Sequence, residues 1–198
     1  MKLTKKGEYT LRAMIQLGIA GRVGRDVLSV PELVESNRLP YKFVERILGE
    51  LRGAGYIESQ RGKDGGYRIA KPLDQITMGE LVRLIDGRLA PIGCASETEY
   101  APCSCPDEDH CGLRMLMIDV RNAIARILDR YTLHDVVEVT LRKMLRDGAA
   151  PPFSCSEPPS EPDRRPDRPA DPADGFLAGL GIGTDDRIPE PATPTRPA

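Results

Sequence analysis

Residues 56–70, YIESQRGKDGGYRIA, constrain the fold more than any other stretch of this chain. Two short runs with strand-forming residues, Tyr56 to Gln60 and Tyr67 to Ala70, flank a segment in which Gly62, Gly65 and Gly66 permit positive φ. The stretch therefore predicts a small hairpin with a tight, basic tip. What precedes it is helical. Over 7–20, Leu11, Met14, Ile15 and Gly18 fall at the i, i+3, i+4, i+7 spacing of one buried helix face. After the turn GRVGRD, the stretch SVPELVES sets Ser29 and Glu32 three apart as a capping box and puts Pro31 in the first turn of a short second helix. A third helix reads from PYKFVERILGELRGAG, with Pro40 at its start, Phe43, Val44, Ile47, Leu48 and Leu51 on one face, and Gly53 and Gly55 as the stop. Three helices followed by a hairpin make a winged helix-turn-helix, and the fold class expected is mainly α with a small β-hairpin wing.

That order of parts suits DNA. A helix entered through a short turn fits the major groove, while a Gly-rich hairpin carries Arg61 and Lys63 to the backbone or the minor groove. Residues 1–71 hold 14 Lys and Arg against 8 Asp and Glu, although the whole chain has a net charge of −2. The basic head is what a polyanion would meet. Tyr41, Lys42, Glu45 and Arg46 lie off the apolar face of the third helix and are free to contact DNA. Arg46 suits guanine, Glu45 accepts from cytosine, and Lys42 or Tyr41 holds phosphate. The same four side chains would equally suit a plain solvated face.

Beyond the hairpin, ITMGELVRLIDG predicts a fourth helix from near Thr77, and a long helix runs from Gly112 to about Tyr131. In the latter, Leu113, Met117, Val120, Ile124, Ile127 and Tyr131 alternate four and three apart, a heptad seam that fits either a second subunit or the chain's own core. Two-fold symmetric operators favour the dimer. LHDVVEVTLRKML closes the ordered region. From Asp147 onward the chain carries 10 acids, 5 arginines and 12 of the 18 prolines, a composition too poor in apolar side chains to fold, so 147–198 is expected to be a disordered tail that includes Cys155 and the spacer-like GFLAGLGIG. The expected division is 1–88 for the DNA-binding domain, 89–146 for a cysteine loop and dimerisation helices, and 147–198 for the tail.

Four of the five cysteines, Cys94, Cys103, Cys105 and Cys111, stand in one acidic loop, CASETEYAPCSCPDEDHC. The basic N-terminal stretch is interrupted by Glu8, Arg12 and Gln16 and lacks a small-residue cleavage site, and no apolar run reaches the roughly 18 residues of a membrane span, so a soluble cytoplasmic protein is expected. In a reducing compartment clustered cysteines read as metal ligands or redox thiols rather than disulfides. Iron–sulfur and zinc chemistry both fit, because soft thiolates bind either and four sulfurs, or three with His110, satisfy tetrahedral zinc. Catalysis has little support beyond these thiols. There is no P-loop, G-x-G-x-x-G or G-x-S-x-G, and the histidines are His110 and His134 alone. A thiol enzyme or electron carrier, and an adaptor acting through its Pro-rich tail, are the other classes to be tested. Neither a membrane nor a small-molecule substrate is expected as a partner.

The stretches LTKKGEYTLRAM, PYKFVERILGEL, GYIESQRGKDGGYRIAKP and ITMGELVRLIDG, followed by spaced cysteines, GLR, a long helix and TLHDVV, resemble the Rrf2 family of bacterial transcription regulators over about residues 1–146. The wing RGKDGGY at 61–67 matches that family's RG-x-x-GGY signature. The resemblance implies a homodimer on a palindromic operator in double-stranded DNA, with an iron–sulfur cluster in the loop before the dimerisation helix and a role as repressor sensing iron–sulfur, nitric oxide or redox status. It also implies three loop ligands, the last two with five residues between them. Cys105 and Cys111 keep that interval and Cys94 is the distal ligand. Cys103 and Cys105, separated by Ser104, are expected to diverge, so Cys103 is an alternate or repair ligand. The family branch with a histidine three residues after the last cysteine is not followed, since Arg114 stands there. The fourth ligand that the resemblance implies is Glu8 from the partner subunit, with Arg12 one turn along to hold it; without a cluster, Glu8 would simply complement the positive end of its helix.

Overall fold

The computed structural model describes residues 3–62, 64–87, 89–151, 153, 175 and 176. Two compact units divide the chain, Met1–Ser156 and Glu157–Ala198. Lys63, Cys155 and nearly all of the Pro-rich tail lie outside the described residues.

Helix α1 (Lys5–Arg22) starts where the Thr4 hydroxyl accepts from the Gly7 amide at 3.0 Å. Its expected stripe is only partly right. Met14 and Gly18 are buried, but so are Thr10, Ala13, Gln16, Leu17, Ile19 and Ala20. A helix packed among several neighbours is covered over most of its circumference, so a single amphipathic stripe under-reads it. Helix α2 (Val30–Asn37) has the capping box that Ser29 and Glu32 encode, and Arg38 at φ 52° turns the chain towards α3 (Tyr41–Gly53). Val44, Ile47, Leu48 and Leu51 of α3 are buried with Leu28, Leu33 and Ile57. Phe43, expected among them, is 41% exposed and packs edge-on with Tyr9, ring centroids 5.7 Å apart. One residue from Val44 is about 100° around a helix, which carries Phe43 off the buried stripe.

The hairpin pairs β1 (Ile57–Gln60) with β2 (Gly66–Ile69), Ile57 facing Ile69 and Gln60 facing Gly66. Tyr67 exchanges two further backbone bonds with Leu28, at 3.1 and 2.8 Å, so the wing is anchored to the turn before α2. Gly62 has the positive φ expected, 120°. Gly65 and Gly66 serve a different need. A Cβ on Gly65 would stand 2.5 Å from the Gln60 carbonyl oxygen, and one on Gly66 2.3 Å from that of Leu28, so both are small because backbone passes against them.

After a 3₁₀ turn at Leu73–Gln75 come α4 (Met78–Asp86), a second 3₁₀ turn at Gly93–Ala95, α5 (Gly112–Arg130) and α6 (Leu133–Arg146). Capping boxes at Thr77 with Glu80 and Thr132 with Asp135 start α4 and α6. The two starts are stitched together, Met78 N to Tyr131 O at 3.0 Å and Leu133 N to Ile76 O at 2.7 Å. Leu133 and Val137 of α6 enter the core, where Gly18 leaves room for Val137. The far end of α4 is clasped to the first turn of α1. The Thr4 amide donates to Asp86 Oδ2 at 2.9 Å, the Thr4 hydroxyl bonds the same carboxylate, and a Cβ at Gly7 would collide with it. Past α6, Phe153 is 9% exposed within the core cluster. Its carbonyl accepts from Arg25 Nη1 at 2.6 Å and its ring lies under the same guanidinium. An average over 147–198 hides this single aromatic anchor. Among the described residues no helix is long and apolar enough to cross a membrane.

Candidate functional site

The head presents one polar face. Tyr41, Lys42, Glu45 and Arg46 are all exposed on α3, on the side opposite its buried stripe. Arg46 Nε lies 3.4 Å from Glu50, which itself pairs with Lys6 of α1 at 2.6 Å, so this face of α3 is braced against the N-terminal helix. The Lys6 ammonium holds the Glu50 carboxyl below the usual carboxylate range, with Arg46 adding to it. Arg61 is exposed at the hairpin tip, and a 2.6 Å pair between Arg68 and Glu58 ties the strands beneath it. Lys63 lies outside the described residues. Phe43 is also exposed on α3, at the edge facing Tyr9 of α1.

The cysteine loop is organised by residues the sequence reading passed over. The Gly93–Ala95 turn buries Cys94, which is 5% exposed. Two arginines of α5 hold that turn by its carbonyls. Arg114 Nε donates to Cys94 O at 3.0 Å and Arg121 Nη1 to Ala95 O at 2.7 Å. Arg114, standing where one family branch has a histidine, thus has a structural task of its own. Glu108 gathers the rest, accepting from Tyr100 at 2.8 Å, pairing with Arg114 at 3.2 Å and receiving the Cys103 thiol at 3.8 Å. One acid among several in this loop gave no sequence signal.

The chain bends at Ser104, and the Cys105 amide donates to Cys103 Sγ at 3.4 Å. The expected divergence of these two cysteines is therefore not found, since residues two apart share a face even in extended chain and the bend closes them further. Cys103 Sγ lies between Glu108 and the Cys105 amide, and the thiols of Cys94 and Cys105 feel those of their loop neighbours. Burial pushes the Cys94 thiol up, with Cys103 adding to it, and hydrogen bonds with Cys103 and Cys111 push the Cys105 thiol up to about 12. Among the described residues no group of three or more His, Cys, Asp or Glu is already arranged around one metal-sized point. The donor set still fits a soft metal or a cluster in chemistry, four sulfurs on one loop, each able to give up a proton on ligation. Cys111 is the N-cap residue of α5. His110 is turned away, its Nδ1 2.8 Å from Asp107 and its side chain well exposed.

Glu8 lies in the first turn of α1, 2.8 Å from Lys5 and 3.6 Å from Arg12. The Lys5 ammonium holds its carboxyl below the usual range. Helix α5 buries none of its 19 residues, and Leu113, Met115, Leu116, Val120 and Ile127 are exposed along it.

Residues 3–139 match the Rrf2 family, described as an iron-dependent transcriptional regulator. The chain is 36% identical over 137 residues to a putative HTH-type transcriptional regulator, rrf2-like, of Rhodobacter capsulatus, a match spanning 68% of this chain and 91% of that protein. It is 32% identical to the HTH-type transcriptional regulator CymR of Bacillus subtilis, over 71% of this chain and 92% of that protein. The solved structure of CymR, the global cysteine regulator of B. subtilis, matches with a TM-score of 0.58 at 29% identity, over 70% of this chain and 97% of that one. T. potens IscR matches at 0.52 and 26% identity, over 75% and 88%. Fold, exposed α3 face and relatives together define a winged helix-turn-helix, DNA-binding transcription regulator and not an enzyme. The chain belongs to the Rrf2 family.

Proposed function

We propose that this regulator is a cytoplasmic homodimer that represses transcription from a palindromic operator and senses iron–sulfur, nitric oxide or redox status through an iron–sulfur cluster in the cysteine loop. Cys94, Cys105 and Cys111 are its loop ligands, and the fourth donor is either Glu8 of the partner subunit or Cys103. The observation that carries the sensing reading is the gathering of four cysteines in the one loop that precedes α5, with the Cys105 amide on Cys103 Sγ, and the iron dependence in the family's description supports it. When bound, a cluster supplies a redox- and ligand-sensitive centre whose properties depend on its thiolate donors. Everything else falls to this chain's own residues.

Tyr41, Lys42, Glu45 and Arg46 read or hold DNA from α3, and Arg61, with Lys63, from the wing. Two copies of the exposed apolar face of α5 cover one another and set the spacing of the two heads. Arg114 and Arg121 fasten the Cys94 turn to α5. Arg83 and Asp129, paired at 2.5 and 2.8 Å, fasten α5 to α4, and Asp86 fastens α4 to the first turn of α1. A change in how the thiols are held is thereby passed to the DNA-binding head as a displacement. Anaerobic purification followed by a visible absorption spectrum, iron and sulfide analysis and operator binding tests this. Bound iron and sulfide with cluster-dependent DNA affinity are expected. A colourless protein holding zinc alone overturns the sensing role and makes the loop a structural zinc site.

A further inference from the structure

We propose that Phe153 is a positioning residue for DNA recognition, which docks on Arg25 and, through it, sets the start of α2 and the seat of the wing. The proposal rests on the reading of α3 and the wing as the parts that meet DNA, and adds what aligns them.

An ordinary helix stop brings the chain there. Gly148 at φ 67° ends α6, its amide on Leu145 O at 3.2 Å and the Ala149 amide on Met144 O at 2.8 Å. Phe153 lies beyond residues 3–139, the part matched to the family, yet it is buried in one apolar cluster with Leu28 and Leu33.

Two separate groups of Phe153 converge on one side chain. Its carbonyl accepts from Arg25 Nη1 at 2.6 Å, and its ring centroid is 5.8 Å from the guanidinium carbon, within cation–π range. Arg25 is fixed at its root, where its amide donates to Ala20 O at 2.9 Å beside the end of α1. Its Nη2 bonds Glu32 Oε1. Glu32 Oε2 in turn accepts from the Ser29 amide at 2.7 Å and hydroxyl at 2.8 Å, closing the capping box of α2. Between Arg25 and Ser29, Leu28 holds Tyr67 of the wing by two backbone bonds. Phe153 therefore bears on the turn from which both α2 and the wing are set, and α2 leads through Arg38 into α3. Filling a core would need only the ring. Here the planar fork of one guanidinium joins the Phe153 carbonyl to the helix cap, so the aromatic anchor also fixes the fork.

The experiment uses the full chain as wild type, Phe153→Ala, Arg25→Met and the double variant. The probes are a duplex selected from a random-sequence library by the wild-type protein, and mixed-sequence DNA. Phe153→Ala changes no charge, and non-specific binding follows charge, so its affinity for mixed-sequence DNA should match wild type. Affinity for the selected duplex, which needs α3 and the wing aligned, should fall. Coupling between distant parts of a protein commonly amounts to ~5–150-fold, so a loss of at least about 5-fold is expected. Arg25→Met should lower the ratio of selected to mixed-sequence affinity in the same way, and adding Phe153→Ala to it should lower that ratio little further. Amide exchange gives a second reading, since the Leu33 and Tyr67 amides, bonded to Ser29 O and Leu28 O, should exchange faster in Phe153→Ala while those in the middle of α6 do not. Far-UV circular dichroism checks folding. Should Phe153→Ala unfold, Phe153→Leu takes its place under the same readings, losing the ring but keeping an apolar side chain. A folded variant that binds the selected duplex as wild type does, loses affinity equally for both DNAs, exchanges faster everywhere alike, or simply adds its effect to that of Arg25→Met overturns the positioning role and reduces Phe153 to core filling. A wild type that selects no sequence overturns the DNA-reading role of α3 and this role with it.

Discussion

A methyl group at Gly66 would stand 2.3 Å from the Leu28 carbonyl oxygen, well inside contact distance. Gly66→Ala must therefore push the wing away from the turn before α2 or break the paired bonds between Leu28 and Tyr67. Overpacking of this kind costs about 1–3 kcal/mol, which urea unfolding would register as a lower midpoint. The DNA face separates by residue in the same way. Arg46→Ala or Glu45→Ala should relax discrimination at one base pair by ~1–3 kcal/mol, whereas Arg61→Ala should weaken binding to all sequences and reduce the salt slope by about 1. Competition titrations on an operator and its single-base variants, repeated across salt, distinguish them; unchanged sequence preference in both α3 variants would mean that another face reads the bases. At this scale the exposed polar residues of α3 were legible, because period and composition alone place them off the apolar stripe. Phe43 was not, since hydrophobicity says nothing about a position 100° off that stripe, and Gly65 and Gly66 were noticed for the wrong reason, the sequence being blind to the backbone that passes them.

Elements were readable where their signals are local. The boxes at Ser29 with Glu32 and the start at Thr77 involve residues three apart, so sequence suffices to place them. The connections between elements were not readable, because they join distant positions. Arg83 and Asp129 lie 46 residues apart and form the strut from α4 to α5. The Arg83 guanidinium holds the Asp129 carboxyl below the usual carboxylate range. A carboxylate whose folded pKa is depressed adds stability that is present above the unfolded pKa of about 4 and is lost as pH falls through the lower folded value. Both side chains are partly exposed, so solvent screening limits the pair to about 1 kcal/mol or less. Asp129→Asn should lower stability by that amount at pH 7 and by progressively less below pH ~4, where the wild-type carboxylate is itself being protonated. Equal differences in denaturation midpoint at both pH values would show that the strut carries no charge-dependent stability. The cysteine loop was legible only in its donors: four sulfurs announce themselves in sequence, whereas Glu108, Arg114 and Arg121, which shape the loop, look like any other charged residues until their partners are known.

For the whole molecule, the proposed pairing of two subunits makes Val120→Asp with Ile124→Asp the decisive change. Charge placed on the α5 seam would be buried without a partner, so the double variant should sediment as a monomer and lose affinity for a palindrome far more than for a half-site. A double variant that still sediments as a tight dimer would place the interface elsewhere. Sequence alone left that seam open between self-packing and association, because a heptad repeat has no memory of which surface it meets. Helix α5, with none of its 19 residues buried by its own subunit, carries a consequence for abundance. If the proposed pairing covers the exposed apolar face of α5, the stability of that face follows mass action, so below the dissociation constant for pairing the subunits would separate and the cysteine loop, tethered to α5 by Arg114 and Arg121, would lose part of its support. The number of copies in a cell would then decide how many molecules are competent to hold a cofactor at all, and an operator that gathers two of them would protect what dilution would otherwise dissolve.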